Sequence, residues 1–288
     1  MKKIAVLLTC HNRREKTISC LTALYACSLP DDLSFDVYLV DDGSTDGTKE
    51  AVEAAFPAVQ VIVGSGNLFW AAGSVLAWET AMKSGNTYDF YLLLNDDTLV
   101  LAELFEVLKK DLEGERIPEL ILVGSTMSHD QSYDITYGGK KLIQPGLPHF
   151  KWVIPNNIET QDCDLGNANI MLVSQEVVDK IGILTKEYLH GFADYDYTLT
   201  AKENNIPVKI CSRYLGYCEN DHGKKWLSKN ESSLKERIAF MYSVKGLSYD
   251  NYLKFTKKHY PKYYLEAKIK MWAKTLFPGI YDKFKKEQ

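Results

Sequence analysis

The chain has 288 residues, 45% hydrophobic and 25% charged, with 34 basic against 38 acidic side chains and a net charge of −4. That is enough chain to bury one large core or two smaller ones, and an aromatic content of 12% argues against long disorder. No window approaches the ~18 uninterrupted apolar residues that a transmembrane helix needs. The start, Met1-Lys2-Lys3, meets only a short apolar run before Cys10-His11-Asn12-Arg13, so it reads as a first strand and not as a signal peptide. Six cysteines, at 10, 20, 27, 163, 211 and 218, form no C-x-x-C pair. Reduced thiols in a cytoplasmic protein are the simplest account.

In chain order, residues 4–9 form an apolar run and residues 14–26 carry helical spacing at Ile18, Leu21, Leu24 and Tyr25. Further strands are predicted at 35–40, 59–63, 90–94 and 120–124, with helical patterns at 44–56 and 71–83. Short apolar strands alternating with amphipathic helices indicate a parallel, doubly wound sheet covered on both faces. Residues 125–175 are rich in Gly, Pro and Asn, and they predict loops and short antiparallel strands added to that sheet. Helical spacing returns at 195–203, at 232–245 and through a tail punctuated by Pro261 and Pro278. The tail is basic: residues 251–288 hold ten lysines, three acids and nine aromatics, a balance of +7 that leaves −11 on the rest of the chain. Such a segment either caps the domain with its aromatics inward or meets an anionic surface.

Ligands of open parallel sheets bind beyond the carboxyl ends of the strands. Three strand ends here are polar: Thr9-Cys10-His11-Asn12-Arg13, Asp41-Asp42-Gly43-Ser44-Thr45-Asp46-Gly47-Thr48 and Asn95-Asp96-Asp97-Thr98. One acidic pair could merely cap a helix, as Ser44 or Asp46 is expected to do. Five carboxylates on one rim repel unless a cation or a hydrogen-bonding ligand joins them, and a divalent ion with a phosphate ligand answers that need. No G-x-G-x-x-G follows the first strand and no G-x-x-x-x-G-K-[ST] occurs, so Rossmann and P-loop sites are excluded.

The ordered set of these motifs resembles family 2 glycosyltransferases of the GT-A fold. The resemblance continues through Gly66-Asn67-Leu68-Phe69-Trp70-Ala71-Ala72-Gly73 and Gly166-Asn167-Ala168-Asn169 to Gly191-Phe192-Ala193-Asp194-Tyr195-Asp196 and Asp221-His222-Gly223, about residues 3–225. The Trp70-to-Gly73 and Asn95-to-Asp97 forms look most like the rhamnosyltransferase-type branch. It implies a GT-A-like α/β domain over 1–225, mostly parallel with a small antiparallel addition, and a helical extension over 226–288. Inverting transfer of a sugar, rhamnose first, from a UDP- or dTDP-sugar to a hydroxyl of a glycan or lipid-linked glycan is then expected, in cell-surface polysaccharide synthesis. Another donor sugar, or a non-catalytic nucleotide- or glycan-binding module of the same fold, is the alternative. Nucleic acid is not an expected partner.

By that resemblance Thr9 and Asp42 face the base, with Asn12, Arg13, Asn67, Gly73 and Asp96 completing the donor pocket. Gly73 is expected to let backbone approach the ligand. Asp97 and His222 hold Mg²⁺ or Mn²⁺, with Asn95 standing where the family has the first acid of its D-x-D motif. Asp194 is the catalytic base. Trp70 and Asp196 are weaker acceptor-side candidates, Asp196 equally a helix-start charge. The tail, 251–288, is a candidate peripheral membrane contact.

Overall fold

The structure, a computed structural model, describes residues 1–129, 134–188, 191–220, 226–228, 230–244 and 246–284. Strands and helices alternate first: β1 (Lys2–Cys10), α1 (Arg14–Tyr25), β2 (Leu33–Asp41), α2 (Thr48–Ala55), β3 (Gln60–Val63), α3 (Phe69–Lys83) and β4 (Phe90–Leu94). Then come β5 (Leu99–Val100), α4 (Leu104–Glu115), β6 (Ile121–Met127) and the short strands β7 (Ile135–Tyr137), β8 (Gly139–Leu142), β9 (Phe150–Trp152), β10 (Gln161–Asp162) and β11 (Leu165–Gly166). The domain closes with β12 (Ile170–Ser174), α5 (Gln175–Ile181), α6 (Ala193–Glu203) and β13 (Val208–Tyr217). Among the described residues four α-helices follow: α7 (Leu234–Tyr242), α8 (Tyr249–His259), α9 (Tyr264–Leu276) and α10 (Pro278–Phe284).

The main sheet runs β10-β13-β6-β12-β4-β1-β2-β3, with β5 on β13 and β7 on β6. β1 to β4 are parallel, and β12 is inserted antiparallel to both β4 and β6. A smaller antiparallel sheet, β11-β8-β9, supplies the expected addition. Both faces of the main sheet are buried, as the near-continuous apolar strands require. On β1, Ile4, Val6 and Leu8 join a core with α1, α2 and α4, while Ala5 and Leu7 join another with α3, α5 and α6. Trp78 is fully buried in the second core, as its helical position predicts.

This register decides where chemistry can sit. Cys10 lies opposite Asp41, and Leu7 opposite Leu93, so the loops after β1, β2 and β4 open on one rim. Because β12 runs the other way, with Ile170 opposite Leu94, the segment preceding it reaches the same rim.

Three helix starts near the rim differ from the sequence expectation. The helix expected from residue 44 starts at Thr48, because Gly47 takes a left-handed φ of +79° and the Asp46 carboxylate accepts the Thr48 N–H. α3 starts earlier than residue 71, at Phe69, for a reason given below. α6 starts at Ala193 and not at Tyr195, which puts Asp194 and Asp196 together in its first turn.

The C-terminal helices form a layer against that turn. α7 begins with a capping box between Ser233 and Glu236. Phe255, Tyr260, Tyr263 and Met271 pack in one buried cluster with Leu165, Tyr188 and Ala193, so these aromatics point inward. Asp196 fastens the layer: its carboxylate meets Lys258 Nζ at 2.8 Å, His259 Nε2 at 2.8 Å and the Tyr188 hydroxyl at 3.1 Å. Burial alone would raise the Asp196 carboxyl, but hydrogen bonds from His259 and Lys258 outweigh it and hold the group below its ordinary value.

A depressed folded pKa contributes stability that is present above the unfolded value of about 3.9 and is lost as pH falls through the folded one. Asp196→Asn is therefore expected to lower unfolding stability by about 1–3 kcal/mol at neutral pH, since it weakens the pairing of Lys258 and His259. Denaturant melts repeated below pH 4 should find the difference between the two proteins shrinking. A constant difference across that range would show that the carboxylate charge is not what fastens the layer.

Candidate active site

The loops after β1 and β2 are locked to each other. Asn12 takes a φ of +51° and its amide oxygen accepts the Thr45 N–H at 2.7 Å, while its own N–H reaches Ser44 Oγ at 2.9 Å. His11 Nδ1 lies 2.7 Å from the Asp42 carbonyl oxygen, so the ring donates to it. Asp41 is buried and accepts the Ser44 N–H at 2.8 Å, a structural role. Asp46 accepts the first N–H of α1, from Arg14, as well as that of α2.

Asp42 is 3% exposed. One carboxylate oxygen accepts the Gly66 N–H at 2.7 Å; the other accepts those of Leu68 at 2.8 Å and Phe69 at 3.1 Å. A carboxylate at helix N-terminal N–H groups satisfies otherwise orphaned donors, and this lets α3 begin at Phe69. Three of about four lone-pair positions are thus in use. Thr9, the other residue expected at the base, has a buried hydroxyl with no partner among the described residues. Gly73 is buried against Thr9: a Cβ there would collide with the Thr9 side chain. Asn67 is exposed on the loop before α3.

The acids after β4 hold a cation of the protein's own. Arg13 Nη1 lies 2.7 Å from Asp97 and 3.2 Å from Asp96, and Thr17 Oγ1 lies 3.4 Å from Asp96. Burial pushes Asp96 up to about 6 despite the pull of Arg13. The amide oxygen of Asn95 accepts the Trp70 indole N–H at 2.8 Å. No group of three or more His, Cys, Asp or Glu suited to a metal occurs among the described residues, and His222 lies outside them. Hard carboxylate oxygens already paired with a guanidinium do suit Mg²⁺ or Mn²⁺, provided that phosphate and water oxygens fill most of the coordination.

Asp194 lies half-buried at the start of α6. Asn167 Nδ2 reaches its carboxylate at 3.2 Å and the Tyr195 hydroxyl at 3.3 Å. Burial raises the Asp194 carboxyl, against the Tyr195 N–H, Asn167 and the charge of Lys140. Two residues on, Asn169 Nδ2 contacts Cys218 Sγ at 3.5 Å, which in turn lies 3.7 Å from Asp97. The short segment before β12 therefore links the acidic pair to Asp194. Asp196 faces the other way, into the C-terminal layer, where Lys258, His259 and Tyr188 take up its carboxylate.

Lys140 escapes sequence reasoning. It is 8% exposed, its ammonium lies 4.1–5.1 Å from the ring centroids of Trp152, Phe150 and Tyr195, and it donates to the Tyr195 hydroxyl at 2.5 Å. Burial lowers its pKa to about 8, partly countered by Asp194. Beside it a cavity of about 500 Å³ is lined by Phe150, Phe192, Tyr195, Tyr252, Phe255 and Tyr263 among others. Tyr195, which lines this space, shares the Asn167 amide with the Asp194 carboxylate.

Removing the Asp42 carboxylate strands three backbone N–H groups. Asp42→Ala is expected to lose about 1.5–3 kcal/mol of stability, the range for hydrogen bonds to a charged group. Chemical denaturation followed by tryptophan fluorescence measures it; an unchanged midpoint would mean that water replaces the carboxylate without loss.

Comparison with known proteins accords with this geometry. Among solved structures the chain is similar to S. aureus TarS 1-349, with a TM-score of 0.53 and 17% identity over 76% of this chain and 60% of that one. It is also similar to the TarS 1-349 complex with UDP-GlcNAc, with a TM-score of 0.53 and 18% identity over 78% of this chain and 60% of that one. A third is mannosyltransferase PcManGT from Pyrobaculum calidifontis, in complex with GDP-Man and Mn2+, with a TM-score of 0.50 and 16% identity over 72% of this chain and 55% of that one. The chain thus spans less than two thirds of these relatives, and the likeness at such identity is one of fold. Among curated proteins the sequence has no match. The family described as Glycosyl transferase family 2 matches residues 5–180, a stretch that carries the rim from Thr9 to Asn169 and ends before Asp194. The chain belongs to glycosyl transferase family 2 and has its GT-A-like α/β fold.

Proposed function

We propose that the protein is an inverting, divalent-ion-dependent glycosyltransferase that moves a sugar from a UDP- or dTDP-sugar to a hydroxyl of a glycan or lipid-linked glycan. The observation that carries this reading is the Asp194 carboxylate, held by Asn167 at 3.2 Å, with the segment from Asn167 to Asn169 reaching the acidic pair through Cys218. The relatives in complex with UDP-GlcNAc and with GDP-Man and Mn2+ support a nucleoside-diphosphate donor and a divalent ion. Rhamnose as the sugar, and cell-surface polysaccharide synthesis as the setting, rest on the motif resemblance alone. The division into a catalytic domain over 1–225 and an extension over 226–288 belongs to the same reading.

In this mechanism Thr9 and Asp42 flank the base, and Asn12, Arg13, Asn67, Gly73 and Asp96 line the donor side. Asp97, with His222, would hold the metal. A bound Mg²⁺ or Mn²⁺ would offset the charge that develops on the departing diphosphate. Arg13, now on the acidic pair, is positioned to pass to the diphosphate. Asp194 accepts the acceptor hydroxyl's proton as that oxygen bonds to the anomeric carbon and the bond to the diphosphate breaks. One carboxylate on the far side of the anomeric carbon gives inversion. Trp70, fixed through Asn95, would wall the acceptor side.

Asp194→Asn keeps the shape and removes the proton acceptor, so transfer should fall by about 10²–10⁴-fold while donor binding persists. Turnover with a panel of nucleotide sugars, with and without chelator, and the anomeric configuration of the product test the whole reading. Near-normal turnover of the variant, retained configuration or full activity in chelator would each remove its part.

The lysine beside the base gives a pH test. Asp194 acts only when deprotonated, so the rate falls as pH drops through its pKa. Lys140→Met removes a cation that favours the carboxylate, so the acidic limb of kcat/KM should move to higher pH. An unmoved limb would show that Lys140 does not act on Asp194.

Peripheral membrane contact through residues 251–288 completes the proposal. No helix among the described residues is long and apolar enough to cross a membrane.

A further inference from the structure

The C-terminal layer has two apolar faces where packing needs one. On α9 the inner face, Ala267, Met271 and Thr275, is buried against the domain side of the layer. Leu265, Ile269, Trp272 and Leu276 recur at i, i+4, i+7 and i+11, which places them within roughly 60° of one another on a helix of 3.6 residues per turn. That second stripe faces outward and continues into Phe277 and Ile280. Five of its six side chains are between 43% and 66% exposed, and only Trp272 is half-buried, its indole N–H donating to the Tyr249 hydroxyl. Large apolar side chains concentrated on one exposed helix face mark an interaction surface, unlike single exposed residues scattered elsewhere.

Charge selects the partner. Lys262, Lys268 and Lys283 are exposed on the same segment as the stripe. Residues 251–288 carry +7 while the rest of the chain carries −11, so an anionic plane attracts this end and repels the body. Two copies meeting through this face would bring like charge together, which disfavours a dimer here. α9 has 13 residues, too few to span a bilayer but enough to lie along one.

We infer that the outer face of α9 and α10 docks on an anionic bilayer surface, its apolar side chains entering the headgroup–acyl boundary and its lysines lying over lipid phosphates. This gives the tail contact proposed above a specific face, and the test needs no turnover, so it fails or succeeds separately from the transferase reading. The full chain is sedimented with vesicles of phosphatidylglycerol and phosphatidylcholine, and with phosphatidylcholine alone, at low and high salt. Binding should favour the anionic vesicles and weaken with salt.

Two variants separate the parts of the face. Ile269→Ser, Phe277→Ser and Ile280→Ser combined, and Lys262→Gln, Lys268→Gln and Lys283→Gln combined, should each cut the partition coefficient at least tenfold. Because these side chains already face water, both variants should keep the parent melting temperature, and that control excludes unfolding as the cause. Equal binding to neutral and anionic vesicles, no binding, or full binding by either variant would overturn the inference. So would a concentration-dependent dimer that the serine variant abolishes, which would make the face a subunit interface.

Discussion

Crowded carboxylates on one rim are the constraint around which this molecule is arranged. Asp41, Asp42, Asp46, Asp96 and Asp97 end two parallel strands of one sheet, and unsatisfied they would push the loops apart. The fold treats them in two ways. Asp41, Asp42 and Asp46 accept backbone N–H groups at turns and helix starts, so their charge becomes the fastening of the loops themselves. Asp96 and Asp97 receive a guanidinium instead. The first set builds a rigid rim. Only the second is held by a cationic side chain.

A similar division occurs over one turn of α6. Asp194 faces the rim through Asn167, and Asp196 faces the C-terminal layer through Lys258 and His259. The helix that presents the candidate base is thus tied to α8, which packs in turn against α9 and its outward apolar stripe.

The sheet was legible because buried parallel strands leave near-continuous apolar runs, and the residues at their carboxyl ends follow from chain direction alone. Helix starts were less legible where a distant group sets them. α3 opens at Phe69 because Asp42, 27 residues away, accepts its N–H. The contact between Gly73 and Thr9 could not be foreseen, since a close approach of a strand end to a helix leaves no periodic trace. Lys140 could not be found either: its aromatic walls come from β9 and α6, and only β8–β9 pairing, with Lys140 opposite Trp152, brings the first of them near. In the tail, composition announced both aromatics and charge, yet only the packing distinguishes Met271 facing in from Ile269 facing out.

The contact between Thr9 and Gly73 has a consequence for how such sequences can diverge. The two positions share one small volume, so their sizes are negatively correlated: a methyl group gained at one must be surrendered at the other. Among descendants of this chain, alanine at position 73 should accompany serine or glycine at position 9. The pair would then drift as a unit and reshape the junction between β1 and α3 without touching any charged group.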